Sequence, residues 1–528
     1  MTEAQSRRIV VIGAGVGGLA SAIRLAALGA SVTLLDRRGA PGGKMRTFPS
    51  AAGPVDAGPT VLTMRHVFEE LFEAAGHRLE DHVTLHQDPI LARHFWPDGS
   101  TLDLHPDRGA SAEAVRRFAG ADAGRAFETF CSEAEALYDA FEGPMMHSAN
   151  PDQARLTARV LSRPRLIPMM APGLTLASKL ANRFTDPRLR QLFGRYATYV
   201  GGSPYQSPAL LALIWRAEEM GVWHVEGGMH KLAQAMADLF EQLGGSLRLV
   251  DGATRIEFQN GSVHAVHCES GAKLAADAVV FAGDPRALAM GSLGRTAAAA
   301  VTPAQTEPRS LSAWVWAFAA VPEGAPLAHH NVFFTADPRT EFDALQRGEM
   351  PDAATLYVCA QDRGAGARHE AGAPERFEII QNGAPDVVGA PPSEEERILC
   401  QTRVFQKLRD FGLHFDRVPP TTALSGPGDF AMAFPGSEGS LYGPSPHGTL
   451  AALKKPRART PLRGLYLAGG GVHPGAGVPM ATLSGKHAAA VIAKDLALTS
   501  PSRPTATRGG TSTVSAKTAP VPSRSSVS

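Results

Sequence analysis

The sequence predicts an α/β fold built on a dinucleotide-binding unit, and three stretches carry that prediction. The first is Arg8–Ile12, a short β-branched run that leads into Gly13-Ala14-Gly15-Val16-Gly17-Gly18 and then into helically spaced apolar residues over 16–28. The second is another strand, Ser31–Leu35, closed by Asp36, 23 residues beyond Gly13. The third lies near the other end, where Gly464-Leu465-Tyr466-Leu467-Ala468-Gly469-Gly470-Gly471 reads as a strand entering a glycine turn. There His473-Pro474-Gly475-Ala476-Gly477-Val478-Pro479-Met480 opens a last helix.

Each glycine of the first stretch has its own physical reason. Gly13 permits the tight turn, Gly15 lets the backbone approach a pyrophosphate, and Gly18 lets helix and strand pack closely. The helix N-terminus offers free N–H groups and a positive dipole end to phosphates. Asp36 stands where a carboxylate accepts ribose hydroxyls, which favours an unphosphorylated ribose and disfavours NADP. NAD and FAD both satisfy this first unit. The second glycine-rich junction, about 450 residues on, decides for FAD. A helix N-terminus beneath a flavin stabilises the negative charge that builds on reduction. Between the two junctions, Gly42-Gly43-Lys44 within the basic loop 37–46 is either a second pyrophosphate loop or a surface turn.

The remaining elements follow in order. Pro97-Asp98-Gly99 marks a hairpin turn, 111–221 is mostly helical, and a helix over 229–243 is followed by Gly244-Gly245 and alternating strands to 284. Residues 300–424 are mixed, with proline- and glycine-rich loops; a strand at 465–468 and a helix at 479–497 close the folded part. At 528 residues the chain exceeds the roughly 250–300 that one core supports. We expect a discontinuous FAD-binding domain (1–110, 222–299 and 425–498), a helical substrate- and membrane-facing segment (111–221) and a substrate domain (300–424). The tail at 499–528, rich in Ser, Thr, Pro and Arg, is expected to be disordered.

Composition excludes several classes. The 52 basic residues nearly cancel the 51 acidic ones, so no net field holds nucleic acid. Cys131, Cys268, Cys359 and Cys400 are scattered, with no Cys-x-x-Cys pair, which argues against a disulfide framework and against a zinc site and makes a reducing compartment the default. No apolar run reaches the ~18–20 residues that span a bilayer. The longest, 9–23, contains four glycines; behind Ser6-Arg7-Arg8 it could pass for an export signal, but its glycines serve the nucleotide turn better.

Taken together these stretches resemble the carotenoid desaturase family, the bacterial phytoene desaturase-like flavoproteins. The matching residues are 10–46, Asp56–Thr63, Val200-Gly201-Gly202-Ser203-Pro204, Gly221-Val222-Trp223 with Gly227-Gly228-Met229, and 465–486, in the family's order. Residues 56–68 and 92–100 resemble the branch that introduces the 3,4 double bond into 1-hydroxy or 1-methoxy acyclic carotenoids of spheroidene-type pathways. The resemblance implies a two-domain FAD-dependent oxidoreductase: a Rossmann-like dinucleotide-binding domain, an interleaved mixed-sheet substrate domain and a helical membrane-facing segment. It implies FAD contacts at Gly13, Gly15, Gly18, Asp36, Gly43 and Lys44, at the backbone of Ala253, and at Gly470, Gly477, Val478 and Met480. Thr60, Arg65 and His66 would reach the substrate side of the flavin, or else serve only as polar residues at a helix start, with Thr63 capping a helix from Met64. The family often carries an acid near 165–170; here Arg165-Leu166-Ile167-Pro168-Met169-Met170 has none, so no catalytic base is assigned.

The chemistry so implied needs no strong acid–base pair. Hydride loss from the allylic C4 leaves a cation delocalised along the polyene, flavin N5 takes the hydride, and a proton leaves C3. The protein aims C4 at the flavin in a dry tunnel. Phe95 and Trp96, like Trp314 and Trp316, read as strand core or as tunnel lining. Residues 153–195 carry nine basic residues against one acid, Asp186, interleaved with apolar ones, which suits an anionic membrane surface. The expected partners are an acyclic carotenoid, the inner face of the membrane as a cytoplasmic peripheral protein, and quinone or oxygen as electron acceptor. Other readings keep the flavin and change the substrate, to phytoene, neurosporene or an amine, or drop the chemistry for a prenyl-binding escort role.

Overall fold

A computed structural model describes residues 6–366, 370, 372–386, 389–448 and 451–498; the tail expectation at 499–528 falls outside them. Five parallel strands form the first sheet, in the order Leu465–Leu467, Ala278–Phe281, Arg8–Ile12, Ser31–Leu35, Ser246–Arg248. The β-branched run 9–12 is buried on both faces, as parallel sheets require. One face is covered by Val16–Ala27, which lies against His230–Gln242 and Val478–Asp495. The other is covered by the antiparallel strands Ala253–Gln259, Ser262–Cys268 and Lys273–Ala275, through Ile256, Val263 and Val266.

Glycines set how tightly the first and last helices pack. A Cβ on Gly485 would lie 2.5 Å from the Gly17 carbonyl oxygen, and one on Gly17 would lie 2.7 Å from the Gly469 nitrogen. Neither position admits a side chain, so the two helices and both glycine turns meet backbone to backbone.

The second sheet has seven strands, in the order Leu424–Ser425, Ser312–Ala320, Glu375–Gly383, Leu356–Ala360, His330–Phe333, Ala92–Phe95, Thr101–Leu104. All neighbours are antiparallel except His330–Phe333 beside Ala92–Phe95. The hairpin around Gly99 therefore belongs to this sheet, and not to the dinucleotide unit in which the expected 1–110 boundary puts it. Its alternation announces a strand pair without saying which sheet it joins. Glu394–Asp410, started by a Ser393/Glu396 capping box, covers one face of the sheet with Cys400, Val404, Phe405 and Leu408. Phe95, Trp314 and Trp316 are core residues beneath that helix.

The helical segment runs from Arg108–Ala119 and Ala121–Phe141 to Ile214–Glu219. Phe127, Phe130, Phe184, Phe193 and Trp215 interlock in its centre. Asp107, Asp152, Thr175 and Asp186 cap its helices with side-chain oxygens. Among the described residues no helix is long and apolar enough to cross a membrane.

Candidate active site

Both glycine turns open at one edge of the parallel sheet, where its strands end. Gly13, with φ at 106°, turns the chain and donates its N–H to the Leu35 carbonyl at 2.7 Å. Gly18 cannot carry a side chain, since its Cβ would stand 1.9 Å from the Gly13 oxygen. Gly15 differs: its Cβ would meet nothing nearer than the Gly43 Cα at 4.0 Å, so the space above it is open. The helix it starts has no side-chain cap, which leaves first-turn N–H groups for a phosphate. Gly42 and Gly43 lie directly across, bridged to Gly15 and bonded from the Gly42 N–H to the Ala14 carbonyl at 2.8 Å.

Asp36 ties this cradle together. One oxygen accepts the Ala14 N–H at 2.7 Å and the other the Arg38 N–H at 2.9 Å. Each keeps a lone pair for a ribose hydroxyl. The segment leading to Ala253 runs alongside, with Asp251 donating its N–H to the Asp36 carbonyl at 3.0 Å and Val250 donating to the Arg38 carbonyl.

At the other turn, Gly477 (φ 103°) starts Val478–Asp495, again with no side-chain cap, and a Cβ placed on it would have no atom within 4 Å. Around Gly470 the space is similarly open, to 4.0 Å. Val478 is buried and Met480 half-buried, the latter beside Met64 and Tyr138. Lys44 donates to the Leu441 carbonyl at 2.6 Å. Burial pushes its ammonium down to about 8, against the pull of Asp284 and with Arg309 adding to the push. Lys455 feels the same three influences and also falls to about 8. Two uncapped helix ends, two open glycine-floored spaces and a buried basic pair fit FAD, a dianionic pyrophosphate joined to a ring that gains negative charge.

The three substrate-side candidates separate. Thr60 is buried and hydrogen-bonded to the Tyr357 hydroxyl at 2.7 Å. Arg65 instead reaches Glu69 at 2.7 Å and also pairs with Glu80, and His66 is 49% exposed beside Glu142. The cause is local: Met64 takes φ 50°, the helix starts at His66, and Arg65 occupies the cap position without a side-chain cap. Thr63 therefore caps nothing.

Two acids that sequence reasoning does not single out come into the site from elsewhere. Asp56 accepts the N–H groups of Met229 at 2.6 Å and His230 at 3.1 Å, fixing the start of His230–Gln242. Glu378 is fully buried, and neither carboxyl oxygen has a hydrogen-bond partner. Burial, then the nearby Asp56, drives Glu378 well above the usual carboxylate range, with Thr60 and Arg46 pulling the other way.

A cavity of about 510 Å³ opens between the helical segment and the second sheet, lined by Trp96, Arg195, Thr198, Tyr205, Phe334 and Phe342 among others. Trp96 stacks on Phe334 at 5.0 Å, so of the four aromatics Phe95, Trp96, Trp314 and Trp316 it is the one at a cavity wall. Arg195 is held by the Tyr199 hydroxyl, and both Tyr196 and Tyr199 donate to Glu218 at 2.7 Å.

Comparison with known proteins places this arrangement. The family of flavin containing amine oxidoreductases matches residues 16–493. A hydroxyneurosporene desaturase of Cereibacter sphaeroides is 56% identical over 93% of the chain and 98% of its own length. One of Rhodobacter capsulatus is 51% identical over 92% and 98%. Among solved structures, cyclohexylamine oxidase from Brevibacterium oxydans superposes with a TM-score of 0.55 at 18% identity, covering 93% of this chain and 99% of that one, a likeness of fold.

Proposed function

The chain belongs to the flavin containing amine oxidoreductase family and groups there with hydroxyneurosporene desaturases; from that premise we propose that it introduces the C3–C4 double bond into 1-hydroxy or 1-methoxy acyclic carotenoids, 1-hydroxyneurosporene being the type substrate. The identity to those desaturases, which extends over more than nine-tenths of the chain, carries this reading. Gly13, Gly15, Gly18, Asp36, Gly43, Lys44, Ala253, Gly470, Gly477, Val478 and Met480 would hold FAD, which when bound would supply the hydride acceptor. The chain's residues do the rest. The apolar wall at Trp96, Phe334 and Phe342 lines a polyene and keeps water out. Lys455 and the uncapped start of Val478–Asp495 set positive charge beside the glycine-floored space. The test is anaerobic reconstitution with FAD, liposomes and a quinone, offering 1-hydroxyneurosporene, neurosporene and phytoene separately. Each added conjugated bond shifts the product's absorbance to the red. A shift with the hydroxylated substrate alone is the expected result; a shift with phytoene moves the chain to the general desaturases.

The same reading has the helical segment dock on the inner face of the membrane. Of its nine basic residues, several are already engaged. Lys179 and Arg183 pair with Glu133, Arg188 with Asp186 and Asp98, Arg190 bonds the Phe184 carbonyl, and Arg195 lies near Glu218. That leaves Arg159, Arg163 and Arg165, together with Arg155 in a solvent-exposed pair with Asp152, for a surface role, among the exposed apolar residues Leu161, Ile167 and Leu174 at 68%, 39% and 41%. An arginine near an anionic bilayer contributes about 1 kcal/mol. Changing all four to glutamate is therefore expected to lower partitioning onto anionic liposomes by about 10²-fold or more, while FAD content stays the same. Unchanged sedimentation with liposomes refutes the docking face.

A further inference from the structure

Desaturation releases a proton as well as a hydride, and neither Glu378 nor Asp56 is placed to take it. Burial drives Glu378 well above the usual carboxylate range, which favours its protonated form, and Asp56 already accepts two backbone N–H groups. We propose that Thr60, Tyr357, His330 and Asp88 form a proton relay that carries the C3 proton from the substrate to the Asp88 carboxylate. This rests on the desaturase reading above and extends it to the base that the reaction lacks.

The geometry is a chain of matched donors and acceptors. Thr60 Oγ1 lies 2.7 Å from Tyr357 Oη, and Tyr357 Oη lies 2.7 Å from His330 Nδ1. His330 Nε2 faces Asp88 Oδ2 at 3.8 Å. Those last two atoms are buried, and neither has any other hydrogen-bond partner. Two orphaned polar atoms buried side by side are costly in a resting protein and call for a functional account. Catalytic hydrogen bonds are often long before substrate is bound. The pairing of strands builds the line: His330 sits at the start of His330–Phe333, two registers from Tyr357 on the neighbouring strand. Asp88 is fixed by donating its N–H to the Val222 carbonyl and by accepting from His224 Nδ1 at 2.9 Å. His86 lies beside His224, with 28% of its side chain exposed, and gives the far end an outlet to solvent.

The intermediate groups pass a proton without keeping it. Burial, with His329, His224 and Arg195, holds His330 far below the usual imidazole range, so it stays neutral. Burial holds the Tyr357 hydroxyl protonated. Once hydride has left C4 with its electron pair, the C3–H electrons fill the vacancy in the polyene cation and become the new π bond. The C3 proton goes to Thr60 Oγ1 and the Thr60 proton to Tyr357. The Tyr357 proton goes to His330 Nδ1, and the proton on Nε2 goes to Asp88. A polyene cation and a carboxylate become a neutral polyene and a neutral acid.

The decisive variants are Tyr357→Phe, which removes one oxygen, and Asp88→Asn, at the far end of the chain. Both are measured as FAD-loaded enzyme on liposomes, following anaerobic flavin reduction by the carotenoid in H2O and D2O. For each we expect FAD content and KM to stay at wild-type values and unfolding to stay cooperative, while the reduction rate falls about 10²-fold or more. The wild type should show a solvent isotope effect involving several protons, and both variants should lose it. A structural role for Tyr357 does not move the isotope effect, and does not make a distant Asp88→Asn copy it. Wild-type rates and an unchanged isotope effect in either variant overturn the relay. So does a stoichiometric metal in the purified protein bound by His329, His330 and Cys359, whose ligand atoms lie within 4.8 Å of one another, because a metallated His330 has no proton to pass. A wild type whose flavin no carotenoid reduces refutes the desaturase reading itself, and the relay with it.

Discussion

Valine in place of Gly15 is expected to give a folded protein that holds no FAD. Gly15 has an ordinary extended backbone, φ −71° and ψ 171°, so a side chain there costs no strain. A Cβ meets only the Gly43 Cα at 4.0 Å, so the branched carbons enter the open cradle instead of the protein core. Valine at Gly18 is expected to do the opposite. Its Cβ would fall 1.9 Å from the Gly13 carbonyl oxygen and 3.1 Å from the Ala282 Cβ. The strand–turn–helix unit cannot close around it, and the loss exceeds the about 1–3 kcal/mol of ordinary overpacking. Circular dichroism and the ratio of FAD to protein separate the two. Gly15→Val should keep the far-UV spectrum and the melting temperature of apoprotein, with FAD content near zero. Gly18→Val should fail to accumulate as a cooperatively folding species. A Gly15→Val protein that purifies with full flavin content would mean that the pyrophosphate lies elsewhere.

Glu378→Gln should flatten the pH dependence of stability. The Glu378 carboxyl is raised by burial above its ordinary 4.5. Between that value and its folded one, the native protein holds a proton that the unfolded chain has released. Stability therefore falls as pH rises through this window, by up to about 1.4 kcal/mol per pH unit for this one group. Glutamine has the same shape and does not titrate. Glu341 is also raised by burial and tilts both proteins alike, so the difference between wild type and variant reports Glu378 together with its coupling to Asp56. Melting curves at half-unit steps from pH 5 to 9 should show the wild type losing ground to Glu378→Gln as pH increases. Parallel curves would show that Glu378 is ionised in the folded protein.

Much of the fold is legible in the chain because it is local. The strand, glycine turn, helix and second strand of 8–36 depend on residues within a few turns of one another, and they form as their pattern predicts. The helix expected over 229–243 is His230–Gln242, and the one expected over 479–497 is Val478–Asp495. What is not legible is what strand pairing assembles. The hairpin at 92–104 alternates correctly, yet only its parallel contact with His330–Phe333 says that it belongs to the second sheet. Asp88, His330, Tyr357 and Thr60 lie on four separate stretches, and periodicity cannot bring them together. One signal is present. In Glu375–Gly383, Phe377 and Ile379 mark the core face, which puts Glu378 and Ile380 on the other. A carboxyl in mid-strand beside an isoleucine points to a buried acid. The nine basic residues of 153–195 show the reverse error: a composition count cannot tell Arg183, locked to Glu133, from Arg163 at the surface.

The glycine-to-glycine contact between Val16–Ala27 and Val478–Asp495 also sets a timetable for synthesis. The first helix is synthesised within the opening thirty or so residues, but its groove stays uncovered until Gly485 follows. The edge strand Leu465–Leu467 is equally late. For nearly the whole of translation the nascent chain thus presents an apolar helix flank and an unpaired strand edge. A stop codon that removed only the last stretch beyond 460 would leave every phosphate-facing glycine of the first turn intact and still yield no holoenzyme.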